Sequence, residues 1–327
     1  MSSEIIDFLL SCKNSEAALR WLKKARKHHP PNADVWHFIF HYKTYYQPKI
    51  LQQLRSKSYL LSPMLVYKTK LGESRVMWSA SDAFVIRLVQ QTLLHYNLLP
   101  VSDFVTHTKR SSSSRKVGMH TIRSKALNMP FVCRTDIKGY YAAIPKLKMI
   151  EWLYSFNIPP EIQNILTQFL MYNVEDGGNI SLSNKGIPRS SSLSPYLAAA
   201  HFYELDELLG HCAGIYYQRY MDDFLILSTT RHKLRKAIKR VRHCISNQWD
   251  FELHPDKTVI GRTSKGFDWM GLWFDGENWE GPSQRSKQRS SDKLAVIYNN
   301  YQGEEREHRL INYEKAYNRW LKGIMGN

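Results

Sequence analysis

Two adjacent carboxylates, Asp222 and Asp223, stand between two runs of strand-forming residues, Tyr216-Tyr217-Gln218-Arg219-Tyr220 and Phe224-Leu225-Ile226-Leu227. Neither run contains Gly or Pro. Aromatic and β-branched residues favour strands, so the segment predicts a hairpin with the acid pair at its turn. Adjacent aspartates repel each other and lose hydration if buried. An ordinary acidic turn is the bland alternative. In this apolar frame a divalent cation is the better reason, because Mg²⁺ prefers a few carboxylates together with phosphate oxygens.

One turn cannot complete such a site. Metal-assisted nucleotidyl transfer uses two ions about 4 Å apart, so a further acid must come from elsewhere. Asp136 is the best candidate. It ends the run Phe131-Val132-Cys133-Arg134-Thr135 and precedes Ile137-Lys138-Gly139-Tyr140-Tyr141. Alone, an Asp at a strand end is as readily a helix cap. Paired with the acid turn, it favours the metal.

With these residues in view, the chain resembles reverse transcriptases, specifically the bacterial group II intron-like and retron-like lineage, including its defence-associated members. The motifs follow the family order over roughly residues 60–275. Asp136 matches the first catalytic Asp. Tyr141 matches the aromatic that excludes a ribose 2′-hydroxyl. Gly186-Ile187-Pro188-Arg189-Ser190 through Pro195 resembles the floor beneath the incoming nucleotide and template base. Tyr220-Met221-Asp222-Asp223 matches the catalytic hairpin, with Met221 against nucleic acid. Lys257, in Leu253-His254-Pro255-Asp256-Lys257-Thr258, matches a position near the triphosphate. Lys70 and Arg75, around Gly72, resemble the fingers segment that holds the triphosphate. Phe267-Asp268-Trp269-Met270-Gly271-Leu272 resembles the hairpin that grips the primer. The floor departs from the family: where Pro-Gln-Gly is usual, Pro188-Arg189-Ser190 brings a charge, a hydroxyl and a Cβ close to the nucleotide.

Charge points the same way. The 327 residues carry 46 Lys and Arg against 29 Asp and Glu, a formal net charge of +17. A field of that sign favours a polyanionic partner. The aromatic content, 13%, suits base stacking as well as core packing. Lys109, Arg110, Arg115 and Lys116 surround serines 111–114, which we read as a loop contacting backbone phosphates rather than a solvated connector. Arg285, Lys287 and Arg289 form a second basic stretch, with helices expected from about Lys293 to Tyr301 and from Glu304 to Ile324. Leu234, Ile238, Val241 and Ile245 recur at helical spacing; the Arg and Lys between them read as a solvated face before a nucleic-acid contact. No apolar run is long enough to span a bilayer, and no signal peptide is evident. Cys12, Cys133, Cys212 and Cys244 are scattered and read as reduced core thiols. His37 and His41 have zinc-like spacing but no third ligand.

The resemblance implies an α+β right-hand polymerase with an antiparallel palm sheet. Its parts would be an N-terminal helical region (1–60), fingers (61–135), a palm with interleaved fingers elements (136–275) and a short helical thumb (276–327). It implies RNA-directed DNA synthesis from dNTPs. Asp136, Asp222 and Asp223, with the Ile137 carbonyl, would hold two Mg²⁺ ions, Mn²⁺ being the alternative. An RNA template and a DNA product follow, in the bacterial cytoplasm and away from membrane. A noncoding RNA, a partner protein or further copies of the chain would supply what the short thumb lacks. Untemplated or protein-templated synthesis, a mobile-element role and a non-catalytic RNA-binding role are the competing readings.

Overall fold

The computed structural model describes residues 2–68, 72–107 and 112–325; the side chains of 112–117 and 324 lie outside that description. The strands are β1 (Met64–Lys68), β2 (Ser74–Met77), β3 (Phe131–Asp136), β4 (Asn173–Asp176), β5 (Asn179–Leu182), β6 (Ile215–Tyr220), β7 (Asp223–Ser228), β8 (Val259–Arg262), β9 (Phe267–Trp269), β10 (Leu272–Phe274) and β11 (Trp279–Pro282). The chain forms two compact units. Residues 1–101 and 139–201 make the first, and residues 102–138 and 202–327 the second.

The first unit is mostly helical. Its central helix, Ala80–His95, begins at Ser79, whose Oγ accepts the Asp82 N–H at 3.1 Å. Such a cap satisfies one of the orphan amides of a helix start. Phe84, Leu88 and Leu93 of this helix are buried, as are Leu9, Leu22, Val35 and Phe38 from the preceding helices. The unit's sheet runs β2-β1-β4-β5 and is antiparallel except for the β1–β4 pair.

The second unit is built on the antiparallel sheet β6-β7-β3-β8. Its central strand reads Phe224-Leu225-Ile226-Leu227, an apolar run buried on both faces. Leu225 and Leu227, with Val132, pack against Phe267, Trp269, Leu272 and Phe274 of the small sheet β11-β10-β9 and against Met119 and Ile122. Strand alternation turns Phe224 and Ile226 to the opposite face. The helix Arg231–Arg242 follows, burying Leu234, Ala237 and Val241 while its Arg and Lys face outward. The helices Gln284–Asn300 and Gly303–Met325 complete the unit.

Several expectations need correction. The serine-flanked basic segment is not a loop throughout: a helix, Ser112–Ala126, already contains Arg115 and Lys116. Serine favours helix starts, so serines beside basic residues read equally well as the opening of a helix. Lys109 and Arg110 lie outside the described residues, and so do the side chains of Arg115 and Lys116. The second basic stretch is helical from Gln284, because Ser283 Oγ accepts the Ser286 N–H at 3.3 Å and starts the helix nine residues early. Cys12 is exposed rather than in the core. Among the described residues, no helix is long and apolar enough to cross a membrane.

Candidate active site

The acid turn is a two-residue hairpin. Tyr220 pairs with Asp223 across β6 and β7, leaving Met221 and Asp222 at the tip. Met221 adopts a φ of +54°, which costs a side-chain-bearing residue about 1–2 kcal/mol, so its surroundings must hold it. They do so at both ends of the residue. The Met221 N–H donates to His107 Nδ1 at 3.0 Å, and the Met221 carbonyl accepts from the Arg219 guanidinium at 2.9 Å. Arg219 is fully buried and donates to both oxygens of Asp206, which also accepts from the Tyr217 hydroxyl at 2.6 Å.

Asp136 is the direct cross-strand partner of Asp223. Asp136, Asp222 and Asp223 therefore meet at one end of the β3–β7 pair. The Ile137 N–H donates to the Asp222 carbonyl at 3.2 Å. On the other side of that strand extension, the His254 N–H donates to the Asp136 carbonyl and the Lys138 N–H to the Glu252 carbonyl. This pattern makes Ile137 and Leu253 a non-hydrogen-bonded pair, so both backbone groups of Ile137 point towards the acid turn.

The carboxylates share one electrostatic environment. Burial, and then the charges of Asp136 and Asp223, push the Asp222 carboxyl up to about 6. Burial also raises Asp223, against the opposing pull of Arg134. Two cations answer the acids. Lys257 Nζ lies 2.5 Å from Asp136 Oδ2, and Arg134 donates to Asp223 Oδ1 at 2.7 Å. Arg134 also donates to Asp268 on β9 at 2.9 Å, tying the acid hairpin to the neighbouring sheet. Arg285 lies 3.9 Å from the other Asp268 oxygen.

Apart from Asp222, these groups line a cleft of about 420 Å³, together with Tyr220, Met270, Gly271, Arg289 and Trp320. The turn at Met270-Gly271 has positive φ at both residues, the geometry of a tight hairpin that matches strand twist. Gly271 is required there: a Cβ would stand 2.7 Å from Ser286 Oγ and 2.9 Å from the Trp320 ring.

The donor set fits a hard divalent cation, because oxygen ligands with excess negative charge select Mg²⁺ or Mn²⁺. The charges of Asp136 and Asp223 add to burial in raising the Asp222 carboxyl. Among the described residues no three such side chains stand together as a ready-made metal cage, and Lys257 and Arg134 engage two of the carboxylates.

The other residues expected from sequence are placed as follows. Tyr141 is the second residue of the short helix Tyr140–Ala143 in the first unit. Its carbonyl accepts the Ile187 N–H at 2.8 Å, and the Ile144 carbonyl accepts the Gly186 N–H at 2.8 Å. Gly186 has a φ of +93°, and a Cβ there would meet the backbone of Tyr141 and Ala142 at 3.1 Å. Tyr141 and the floor segment are thus one local structure. Arg189 on that floor is exposed, and Ser190 Oγ donates to the Val76 carbonyl at 2.9 Å. Arg75 is exposed on β2 and pairs with Glu73 at 2.8 Å. Lys70 lies outside the described residues. Lys287 is exposed and is not part of the cleft that Arg285 and Arg289 line.

Sequence reading did not assign Arg134, Asp268, His107, Arg219 or Asp206. Arg134 carried a signal: it stands two residues before Asp136, hence on the same strand face. The buried partners of the turn carried none, because their contacts form only in the fold.

The site is an acid hairpin on an antiparallel sheet, with a third carboxylate in register on the next strand. The family described as reverse transcriptase (RNA-dependent DNA polymerase) matches residues 72–274, well over half of the chain. The chain belongs to that family, and its domain is that of an RNA-directed DNA polymerase. No curated protein matches it. Among solved structures it is similar to apo telomerase from Candida Tropicalis, at 11% identity and a TM-score of 0.48, covering 68% of this chain and 48% of that one. The chain thus spans about half the length of that structure.

Proposed function

We propose that this protein copies RNA into DNA by attack of a primer 3′-hydroxyl on the α-phosphate of an incoming dNTP. One observation carries the reading: Asp136, Asp222 and Asp223 meet at a single strand end, inside the span that matches the reverse transcriptase family. Asp136 and Asp222 would hold two Mg²⁺ ions, with Asp223 beside them and the Ile137 carbonyl as a further ligand. Bound there, the ions supply a lowered hydroxyl pKa and charge stabilisation of the leaving pyrophosphate.

The chain's own groups have distinct tasks in this reading. Arg134 fixes the orientation of Asp223. Arg219 and His107 hold the turn that presents Asp222. Lys257 offers an ammonium to the triphosphate, a role supported by its position against Asp136. Tyr141 gates against ribose, Arg189 forms the floor, and Arg75 and Lys70 hold the phosphates. Met221 and the basic residues Lys109, Arg110, Arg115, Lys116, Arg285, Lys287 and Arg289 serve template and product strands. Arg285 and Arg289 have the firmest support, because they line the cleft that contains the acids.

The motif pattern favours the bacterial group II intron-like and retron-like lineage, in a cytoplasmic defence role alongside a noncoding RNA or partner protein. Arg189 in place of the usual floor glutamine supports an unusual mode of templating. Primer extension with Mg²⁺ and dNTPs on RNA, on DNA and without template tests the reading. RNA-templated products that disappear in Asp136→Ala and Asp222→Ala are expected, with the variants folded and still binding RNA. Removing one ligand of such a site costs several orders of magnitude in rate, at about 1.4 kcal/mol per tenfold. Full synthesis by either variant rules the mechanism out.

A further inference from the structure

The face of the main sheet opposite the acids carries a second groove. Strand alternation puts Val132, Arg134 and Asp136 on one face of β3 and Phe131 and Cys133 on the other. On that other face Phe131, Leu234, Ile238 and Ile260 form an apolar floor between β8 and the helix Arg231–Arg242. Arg231, Arg235, Arg262 and Lys265 rim it, and no carboxylate lines it. None of these cations has an ion-pair partner among the described residues, and Ile260 is 51% exposed.

The strand beside this groove is an open edge. β8 pairs with β3 on one side only. The Thr263 N–H donates to the Pro130 carbonyl, which makes Phe131 and Arg262 a non-hydrogen-bonded pair. Counting back along the register, Gly261 bonds to β3, and Ile260 and Arg262 turn their N–H and C=O groups outward. Unpaired groups at two-residue spacing are a template for a further strand.

We propose that the β8 edge and its groove dock an extended, acidic peptide segment of a partner protein, which adds a strand to β8. Its backbone would pair with Ile260 and Arg262. Every second side chain would face the groove, and that set would carry both apolar groups, which lie on Leu234, Ile238 and Ile260, and carboxylates, which meet the four cations. Charge selects the occupant. A second copy of this chain carries +17 and is repelled. Nucleic acid suits the cations, but its phosphates would face the outward carbonyls of Ile260 and Arg262, and it has no backbone of alternating donors and acceptors to match that edge.

The test is fluorescence anisotropy of a labelled peptide, Glu-Thr-Val-Thr-Glu-Thr-Val-Thr-Glu, whose alternate residues present Glu and Val on one strand face, against the whole chain. Two further peptides carry N-methyl groups on one or the other alternating set of amides, and an octathymidylate is the nucleic-acid comparison. The parent peptide should bind. One N-methylated form should bind at least tenfold more weakly and the other like the parent, because an added strand uses only one edge. The double variant Arg235→Glu/Arg262→Glu should lose at least tenfold for the peptide while keeping the thermal unfolding midpoint. Absence of peptide binding overturns the proposal. So does equal binding of all three peptides, which marks a charge patch without strand pairing. Loss of octathymidylate affinity in the double variant, with peptide affinity unchanged, assigns the groove to nucleic acid and also overturns it.

Discussion

Arg134 and Asp223 form a 2.7 Å ion pair diagonally across β3 and β7, and the Arg134 side chain is only 6% exposed. The same guanidinium reaches Asp268, so a single cation balances two carboxylates from different sheets. Removing one partner of a buried pair leaves the other charged, desolvated and uncompensated.

Arg134→Gln should therefore destabilise the fold by about 3 kcal/mol, since both acids remain and neither is far from solvent. It should also impair synthesis, because Asp223 loses its orientation. Adding Asp268→Asn should recover part of the stability and none of the activity. Urea denaturation and primer extension on the same samples separate these effects. An Arg134→Gln protein with unchanged midpoint and unchanged rate removes Arg134 from the site's architecture.

The Asp222 carboxyl, held up at about 6 in the folded protein, makes a pH prediction for the metal-free state. Between its unfolded value near 4 and its folded value near 6, the folded state binds the extra proton. Stability from this group is thus present at low pH and is lost as pH rises through that window. Asp222→Asn should raise the thermal midpoint at pH 7.5 and leave it nearly unchanged at pH 4, by up to about 2 kcal/mol at the higher pH. Mg²⁺ should stabilise the wild type more at pH 7.5 than at pH 5, because binding needs the ionised carboxylate. Equal Mg²⁺ stabilisation at both values counts against Asp222 as a ligand.

How much of this was legible in the sequence depends on the range of the interaction. The acid hairpin was visible because β-formers flank it without Gly or Pro, and the register that brings Asp136 to Asp223 lies at the end of its own apolar run. The helix starts at Ser112 and Gln284 were missed because Ser and Arg hide apolar periodicity, and a cap serine resembles a loop serine. The Lys257–Asp136 contact joins residues 121 apart, and nothing local announces it; the motif alone placed Lys257 near the triphosphate. The split into two units built from interleaved stretches is likewise a property of long-range packing.

Tyr141 carries a specificity prediction. Its backbone is pinned to the floor segment through Ile187, so the ring position follows from that segment rather than from a free loop. Tyr141→Ala should admit ribonucleotides while retaining most dNTP incorporation, raising the NTP-to-dNTP ratio of kcat/KM at least tenfold. If the wild type already uses both equally, the ring is not the gate.

The Arg219–Asp206 pair separates fold from chemistry. Both side chains are fully buried, and Arg219 links the pair to the turn through the Met221 carbonyl. Arg219→Gln should cost about 3–5 kcal/mol, because Asp206 is left buried and unpaired. Replacing both, as Arg219→Met/Asp206→Leu, removes the stranded charge, and such swaps of a buried pair for apolar groups are often neutral in stability. The double variant should therefore be more stable than Arg219→Gln, though the buried Tyr217 hydroxyl loses its acceptor, and still lack the donor that holds Met221 at positive φ. Its kcat should fall while RNA affinity stays, since the acids are mispositioned and the basic surface is intact. Recovery of full activity along with stability would show that the turn holds its shape without Arg219, with His107 and the β6–β7 register among its supports.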